Sequence, residues 1–445
     1  MPDQGLQSAL ARQLYWLQSW KLASGDYQGY VVHRANLKRM FRIHGTPWSQ
    51  GPIIKGYLNL YEKTANDRWL REAMLAADSQ CTRLDKTGKY IYSGFEDDRL
   101  YSLVHNSLAN SALLDLANVL NVKQRHKEAQ RYIDVAKTNI DRYILGTLWD
   151  DEFGAFRFST IDYYSPQKTR FVANMNSVAI ESLIKLFNLT GDELYRRHAI
   201  ETGEWLLTQS MKSPAFGDGG IGYSHIQPDT LIAIYTALAM RGLDNLFNLT
   251  EDGRYKQMMQ RAASHLISLI DPDTKLFYHA VVDGELVKYP EFIAGSGIIL
   301  KALDDATRLT GARYSCPETL GAILSSQLPN GAFPSFIGYD TLENGRTKGR
   351  GLVVWEDKVP VMGWNAHLFE FLTRIVDDGF SCLEGGGRSN RFITPNYDYL
   401  EGKRYTLILC VKPLRQFTVY FALKRLPIAL IYASVPSFRK ALHRI

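Results

Sequence analysis

Along this chain, mostly apolar stretches alternate with stretches that are apolar on one side only. The first kind covers Trp48–Leu60, Tyr101–Asn118, Val172–Phe187, Pro228–Ala239, Phe292–Ala306 and Val361–Ile375. The second covers Leu6–Leu22, Asp67–Cys81, Gln124–Tyr143, Asp192–Met211, Arg254–Ile270 and Glu318–Gln327. A helix that is apolar all round is buried, whereas a helix with one apolar face lies on the outside. The order is outer then inner, six times over. The turns between them also recur: "FNLTGDELY" at Phe187–Tyr195 returns as "FNLTEDGRY" at Phe247–Tyr255, with looser copies at Leu60–Leu70 and Asp304–Tyr314. Repetition on this scale marks an architecture in which each unit buries its apolar face against its neighbours. The pattern predicts an all-α fold, a closed (α/α)6 toroid of six helical hairpins.

Connection lengths give this barrel two unlike ends. Inner-to-outer turns are short, as in "EKTAN", "NVKQ" and "NLTG". Outer-to-inner connections are long: Ala23–Pro47, Thr82–Leu100, Ile144–Phe171, Lys212–Gln227, Asp271–Glu291 and Leu328–Pro360. One of them, "LFYHAVVDGELVKY", reads as a β-hairpin with Asp-Gly at its turn. Long loops in a compact domain are usually functional. All six emerge where the inner helices begin, so the site is expected at that end.

The segments "LFNLTGDELYRRHAIETGEWLL", "LNLYEKTANDRWLREA" and "SSQLPNGAFPSF" give the chain its resemblance to the six-hairpin glycosidase-like superfamily over Leu6–Ile375. The resemblance implies a carbohydrate-active enzyme of glycoside hydrolase, lyase or uronate-epimerase type. The last segment is also similar to the toroids of terpene cyclases, but no Asp-rich DxDD motif accompanies it.

The inner-helix starts carry the chemistry that a sugar site needs: aromatic faces, amides and titratable groups. They read "HGTPWSQG", "YSLVHNSLAN", "TRFVANMNSV", "GDGGIGYSHIQPD", "YPEFIAGSG" and "WEDKVPVMGWNAH". Candidate catalytic residues are His225, His367, Asp229, Glu291 and Asp218. Candidate substrate-binding residues are Trp48, His105, Asn106, Arg170, Asn174, Asn176, Tyr223, Trp355, Glu356, Asp357 and Trp364. His225 and His367 resemble the histidine pair of N-acylglucosamine 2-epimerase-like enzymes, which implies proton removal and return beside a carbonyl. Histidine suits this because it titrates near neutrality. A hydrolase needs two carboxylates across the scissile bond instead. Asp218, Asp229, Glu291 and the Glu356–Asp357 pair are the candidates. A lyase or uronate epimerase needs groups that neutralise a carboxylate, for which Arg170, Asn174, Asn176, His105 and Tyr223 are available. Plainer readings compete: Pro228 and Asp229 suit a first helical turn, and His105 and His367 suit a satisfied core. A non-catalytic barrel that binds glycan or scaffolds a synthase is the alternative from outside enzymology.

Composition removes other classes. The 445 residues hold 45% hydrophobic and 22% charged residues, as a soluble globular protein does. No phosphate-binding loop, dinucleotide fingerprint or zinc pair is present, so no cofactor and no metal are expected. Cys81, Cys316, Cys382 and Cys410 are scattered and read as reduced thiols. The N-terminus lacks the basic-then-apolar order of a signal peptide, which points to the cytoplasm. The net charge of +6 is local. Gly402–Ile445 has nine Lys or Arg and no acid; without it 43 basic face 46 acidic residues. Three apolar runs in this segment, each too short to span a bilayer, are flanked by the basic residues. That suits the anionic inner face of a membrane and no nucleic acid. The organisation expected is a barrel over 1–380, a linker over 381–401 and a basic apolar segment over 402–445. A barrel of this kind beside such a segment suits surface polysaccharide synthesis or remodelling, with a glycan or sugar as substrate.

Overall fold

The computed structural model describes residues 2–30, 41–42, 44–91, 101–160, 171–209, 219–338, 360–378 and 380. Six inner helices run Pro47–Thr64, Leu103–Val122, Ala173–Thr190, Ala233–Thr250, Ser296–Thr310 and Met362–Ile375. Each packs on the next, and the sixth closes against the first. The outer helices are Pro2–Ser19, Asp67–Cys81, His126–Asn139, Glu193–Leu207, Gly253–Ser268 and Pro317–Ser325, the third continuing as a π-helix over Ile140–Leu148. The expected (α/α)6 barrel is present. Two hydrogen bonds fasten its ends: Gln13 Nε2 donates to the Asn365 carbonyl at 3.0 Å, and Gln327 Nε2 to the Ala9 carbonyl at 2.8 Å. The inner ring is tight. A Cβ at Gly51 would lie 2.7 Å from the Leu108 carbonyl oxygen of the adjacent inner helix, so only glycine fits there.

The repeated turn has a local cause. At Thr64, Thr190, Thr250 and Thr310 the hydroxyl donates to the carbonyl four residues back. The same hydroxyl accepts from the amide two residues on, at Asn66, Asp192, Asp252 and Ala312. The residue between is left-handed and closes the helix: Ala65, Gly191, Glu251 or Gly311. Asn66, Asp192 and Asp252 then cap the following outer helix through their side chains. Three residues thus stop one helix and start its partner.

Two inner helices start later than the apolar pattern predicts. The fourth begins at Ala233 because Thr230–Ile232 pairs with Ala280–Val282 as a strand. Pro228 is therefore not in its first turn. The fifth begins at Ser296 because Glu291–Phe292 pairs with Phe336–Ile337. The Asp283–Gly284 turn has positive φ at both residues and joins Ala280–Val282 to Glu285–Val287, as the sequence predicts.

A charged cluster sits within the ring. Glu181, on the third inner helix, accepts from Lys55 and Lys185 at 2.8 Å each and from Ser111 at 2.7 Å. It also accepts from Arg241 Nε at 2.8 Å and Nη2 at 3.1 Å. Burial opposes its ionisation, but Arg241, Lys185 and Lys55 overcome this and hold its carboxyl well below the usual range. Burial brings Lys55 down to about 8 against the pull of Glu181.

Backbone contacts divide the chain into two units, Met1–Ala35 with Arg39–Ser381 and Asn36–Lys38 with Cys382–Ile445. The barrel belongs to the first unit; the second lies outside the described residues, and so do the expected linker and basic segment.

Removing one partner of a buried ion cluster strands the others. Glu181→Gln should therefore lose about 3–5 kcal/mol of unfolding free energy at neutral pH, read from urea titration. A variant as stable as the parent would show that the cations find other acceptors.

Candidate functional site

The long-loop end gathers aromatic side chains from three inner helices and a strand pair. Trp48 is 4% exposed and stacks on His105 at 6.0 Å. Trp364 meets Trp48 edge-on at 4.8 Å, Phe292 at 5.6 Å and Phe336 at 6.0 Å. Gly363 makes this possible, since a Cβ there would lie 2.4 Å from the Trp48 indole. His279 stacks on Phe292 at 5.6 Å. Trp48, His105 and Trp364, three of the candidates, thus lie side by side.

One turn below Trp364 lies His367, 2% exposed. Its Nδ1 faces Glu370 Oε2 at 3.8 Å. Burial lowers the imidazole's pKa, partly offset by Glu370. Burial likewise opposes ionisation of Glu370, but Arg241, His367 and Lys55 hold it well below the carboxylate range. A neutral imidazole facing a carboxylate through Nδ1 carries its proton there and leaves Nε2 as an acceptor. His367 Nε2, Trp364 Nε1 and Asn174 Oδ1 are buried and have no hydrogen-bond partner among the described residues. Buried polar atoms are nearly always paired, so unpaired ones at one barrel end indicate a place for a ligand.

The other expected residues divide. Asn106 and Asn176 are fasteners of the chain. Asn176 accepts from the Phe156 amide at 2.7 Å and donates to the Phe156 and Val172 carbonyls. Asn106 accepts from the Tyr90 amide and from Asn139, and donates to the Ser102 carbonyl. Both stand fourth in their inner helices, as do Asn365, which grips Phe333 in the same way, and Gln50, which donates to the Gly25 and Ala76 carbonyls. The amides of Asn106 and Asn176 are taken up within the protein, against the expectation that they bind substrate.

His225 is half-buried against Phe171 at 5.3 Å and Phe153 at 5.8 Å, its Nδ1 3.5 Å from the Phe171 carbonyl oxygen. No described contact joins it to His367 or Trp48. Tyr223 stacks on Tyr235 at 5.4 Å. Asp229 is exposed, its carbonyl accepting from the Asp283 amide. Glu291 is fully buried, on the strand residue before Phe292. Its Oε2 accepts from Thr274 at 2.9 Å, and it shares a hydrogen bond with Asp271. Burial raises its pKa to about 7, Thr274 opposes this, and Asp271 adds to it. Arg170, Asp218, Trp355, Glu356 and Asp357 lie outside the described residues. Among the described residues no group of three or more His, Cys, Asp or Glu could hold a metal ion.

Sequence reasoning passed over Glu370, Glu181, Arg241 and Lys55. The signal was there: each is a charge inside a helix that is otherwise apolar all round, in "HLFEFL", "VAIESLI", "LAMRGL" and "PIIKGYL".

No family model and no curated protein matches the sequence. Solved structures do. A cellobiose 2-epimerase from Bacillus thermoamylovorans superposes with a TM-score of 0.58 at 13% identity, over 83% of this chain and 99% of that one. A D-mannose isomerase gives 0.60 at 13% identity, over 83% and 96%. An unsaturated glucuronyl hydrolase from Streptococcus agalactiae gives 0.58 at 12% identity, over 85% and 93%. The chain has the six-hairpin glycosidase-like fold. Within that six-hairpin barrel, epimerase, isomerase and hydrolase all occur among the similar structures, so the fold leaves the reaction to the site.

The buried Glu291–Asp271 pair yields a pH test. The folded pKa of about 7 lies above the ordinary 4.5, so the stability this group contributes is complete below about pH 4.5 and is lost as pH rises through 7. Urea midpoints of Glu291→Gln should therefore overtake the parent between pH 5 and 8, by up to roughly 3 kcal/mol. Parallel pH profiles for the two proteins would exclude a shared proton.

Proposed function

We propose that the protein is a carbohydrate-active enzyme working at the long-loop end, with His367 as its proton-transferring group. The observation that carries this reading is the unpaired, buried Nε2 of His367, with Glu370 behind it and the Trp48–Trp364 pair above it. Aromatic faces hold the C–H surface of a sugar, and the free Asn174 oxygen and Trp364 N–H offer one acceptor and one donor to hydroxyls. Nε2 accepts a proton from the substrate, and the Glu370 carboxylate stabilises the imidazolium that forms.

Epimerisation or isomerisation fits better than hydrolysis by two carboxylates. Of the carboxylates expected from sequence whose positions are described, Asp229 is exposed on the turn before Thr230, and Glu291, with Oε1 buried and unpaired, bonds to Thr274 through Oε2 and shares a hydrogen bond with Asp271. The imidazole seen stacked on the tryptophan pair is that of His105. The resemblance to a cellobiose epimerase and a mannose isomerase agrees with this reaction class and supplies no residue.

His367→Ala should lower turnover of an aldose or ketose substrate by about 10²–10⁴-fold. Glu370→Gln should also lower it, and should move the acidic limb of kcat/KM to lower pH, because the carboxylate that raises the His367 pKa is gone. His225→Ala should stay within a few fold. A full sugar panel without turnover, with glycan binding lost in Trp364→Ala, would assign a binding module instead.

The setting we propose is the cytoplasmic face of a membrane, in surface polysaccharide synthesis or remodelling, and it rests on the charge of Gly402–Ile445. No helix among the described residues is long and apolar enough to cross a membrane. Each basic residue near an anionic bilayer is worth about 1 kcal/mol. Full-length protein should sediment with phosphatidylserine vesicles, less so at high salt, and a chain ending at Asn396 should stay in the supernatant. Equal sedimentation of both would remove this setting.

A further inference from the structure

The barrel has a second opening. At the short-turn end, a cavity of about 490 Å³ runs in between the first, second, third, fifth and sixth inner helices. This is within the range of small-molecule sites, and it lies at the end opposite Trp48 and Trp364. Its deep wall holds Lys55, Glu181 and Glu370, each under a tenth exposed. Tyr61, Val122 and Lys123, from the ends of their helices, form the rim.

The polar groups here are not equally occupied. Glu181, Lys55 and Lys185 satisfy one another with Ser111 and Asp115. Glu370 is different. It is 3% exposed and lines the cavity, and its one hydrogen-bonding side chain among the described residues is His367, whose Nδ1 lies 3.8 Å from Oε2. Asn59 stands beside it, donating through Nδ2 to the Glu370 carbonyl at 2.9 Å and to Thr373, while its Oδ1 accepts nothing from a described residue. A carboxylate with one such partner and an amide oxygen with none leave acceptor capacity on one wall, which suits a ligand that brings hydrogen-bond donors. Leu58, Val119 and Val122 supply an apolar strip on the same cavity.

Charge decides what kind of donor. The lining carries Lys55, Lys123, Lys185, Lys301 and Arg374 against Glu62, Asp115, Glu181 and Glu370. An anion would meet the carboxylates and a polyamine would meet the lysines. Hydroxyls donate to the open acceptors without adding charge to either set. We infer that the short-turn cavity is a second binding site, for a neutral polyhydroxylated molecule of monosaccharide or hexitol size, distinct from the site at the long-loop end. Glu370 also lines a void of about 10 Å³ together with His367 and Arg241, so an occupant touching Glu370 is one side chain from the proposed proton-transferring group. The binding site itself does not depend on that role.

The test is calorimetric titration of the full-length protein with D-mannose, D-glucose and mannitol, and with inorganic phosphate and spermidine as charged probes. Val119→Trp fills the cavity from a half-buried position and Val122→Trp from an exposed one, and circular dichroism checks that both fold. At least one neutral probe should bind with affinity reduced tenfold or more in both plugged variants and unchanged in Trp364→Ala. Neutral-probe binding that ignores both plugs, no neutral-probe binding, or a plug-sensitive site for phosphate or spermidine alone, would overturn the inference. Sugar binding lost only in Trp364→Ala would overturn it while leaving the long-loop site standing. Plug-sensitive binding with a catalytically silent His367→Ala comparison would do the reverse.

Discussion

One carboxylate organises the inside of this barrel. Glu181 receives hydrogen bonds from side chains of four successive inner helices: Lys55, Ser111, Lys185 on its own helix, and Arg241. A ring of apolar helices can slide or rotate, because apolar contacts are not directional. A buried carboxylate with several charged donors is directional, and a change of register on any of those helices would leave a buried charge unpaired. The cluster thereby sets the position of Arg241, and Arg241 in turn helps to hold Glu370 ionised behind His367. The electrostatics of the long-loop end begin at the middle of the barrel.

The two ends differ for reasons that lie in their turns. On one side a threonine, a left-handed residue and an Asn or Asp complete the connection, leaving no room for elaboration. On the other side the chain makes long excursions, and these are tied down at the fourth residue of the inner helix. Asn106, Asn176 and Asn365 each grip the backbone of their own excursion through an amide. At the fourth inner helix Thr236 stands in that position, with its hydroxyl 3.5 Å from the Ile221 carbonyl oxygen.

The fold was legible because helices buried on every side leave an unmistakable run of apolar residues, and because the Thr-x-Asx turn writes its hydrogen bonds into local sequence. The starts of the fourth and fifth inner helices were not, since Thr230–Ile232 and Glu291–Phe292 run into the apolar stretches that follow and became strands through pairing with distant segments. Trp364 and His367 were legible as a helical pair beside the long loops. Asn106 and Asn176 were misleading: an amide at a helix start looks ready for a hydroxyl, and only the three-dimensional arrangement shows a backbone already there. His225 packs its ring on Phe153 and Phe171, a contact that its local sequence did not announce. Glu370 went unremarked because a single charge among apolar residues is easily taken for an exposed position.

The fourth-residue amides carry an evolutionary consequence. Asn176 and Asn365 recognise main-chain atoms, the amide and carbonyl of Phe156 and of Phe333, and are indifferent to the side chain those residues bear. The excursion beyond each fastening can therefore be rewritten in sequence and length while its anchorage to the ring persists. A scaffold of this kind can acquire a new specificity one loop at a time, because the ring never reads the side chains of the loops it holds.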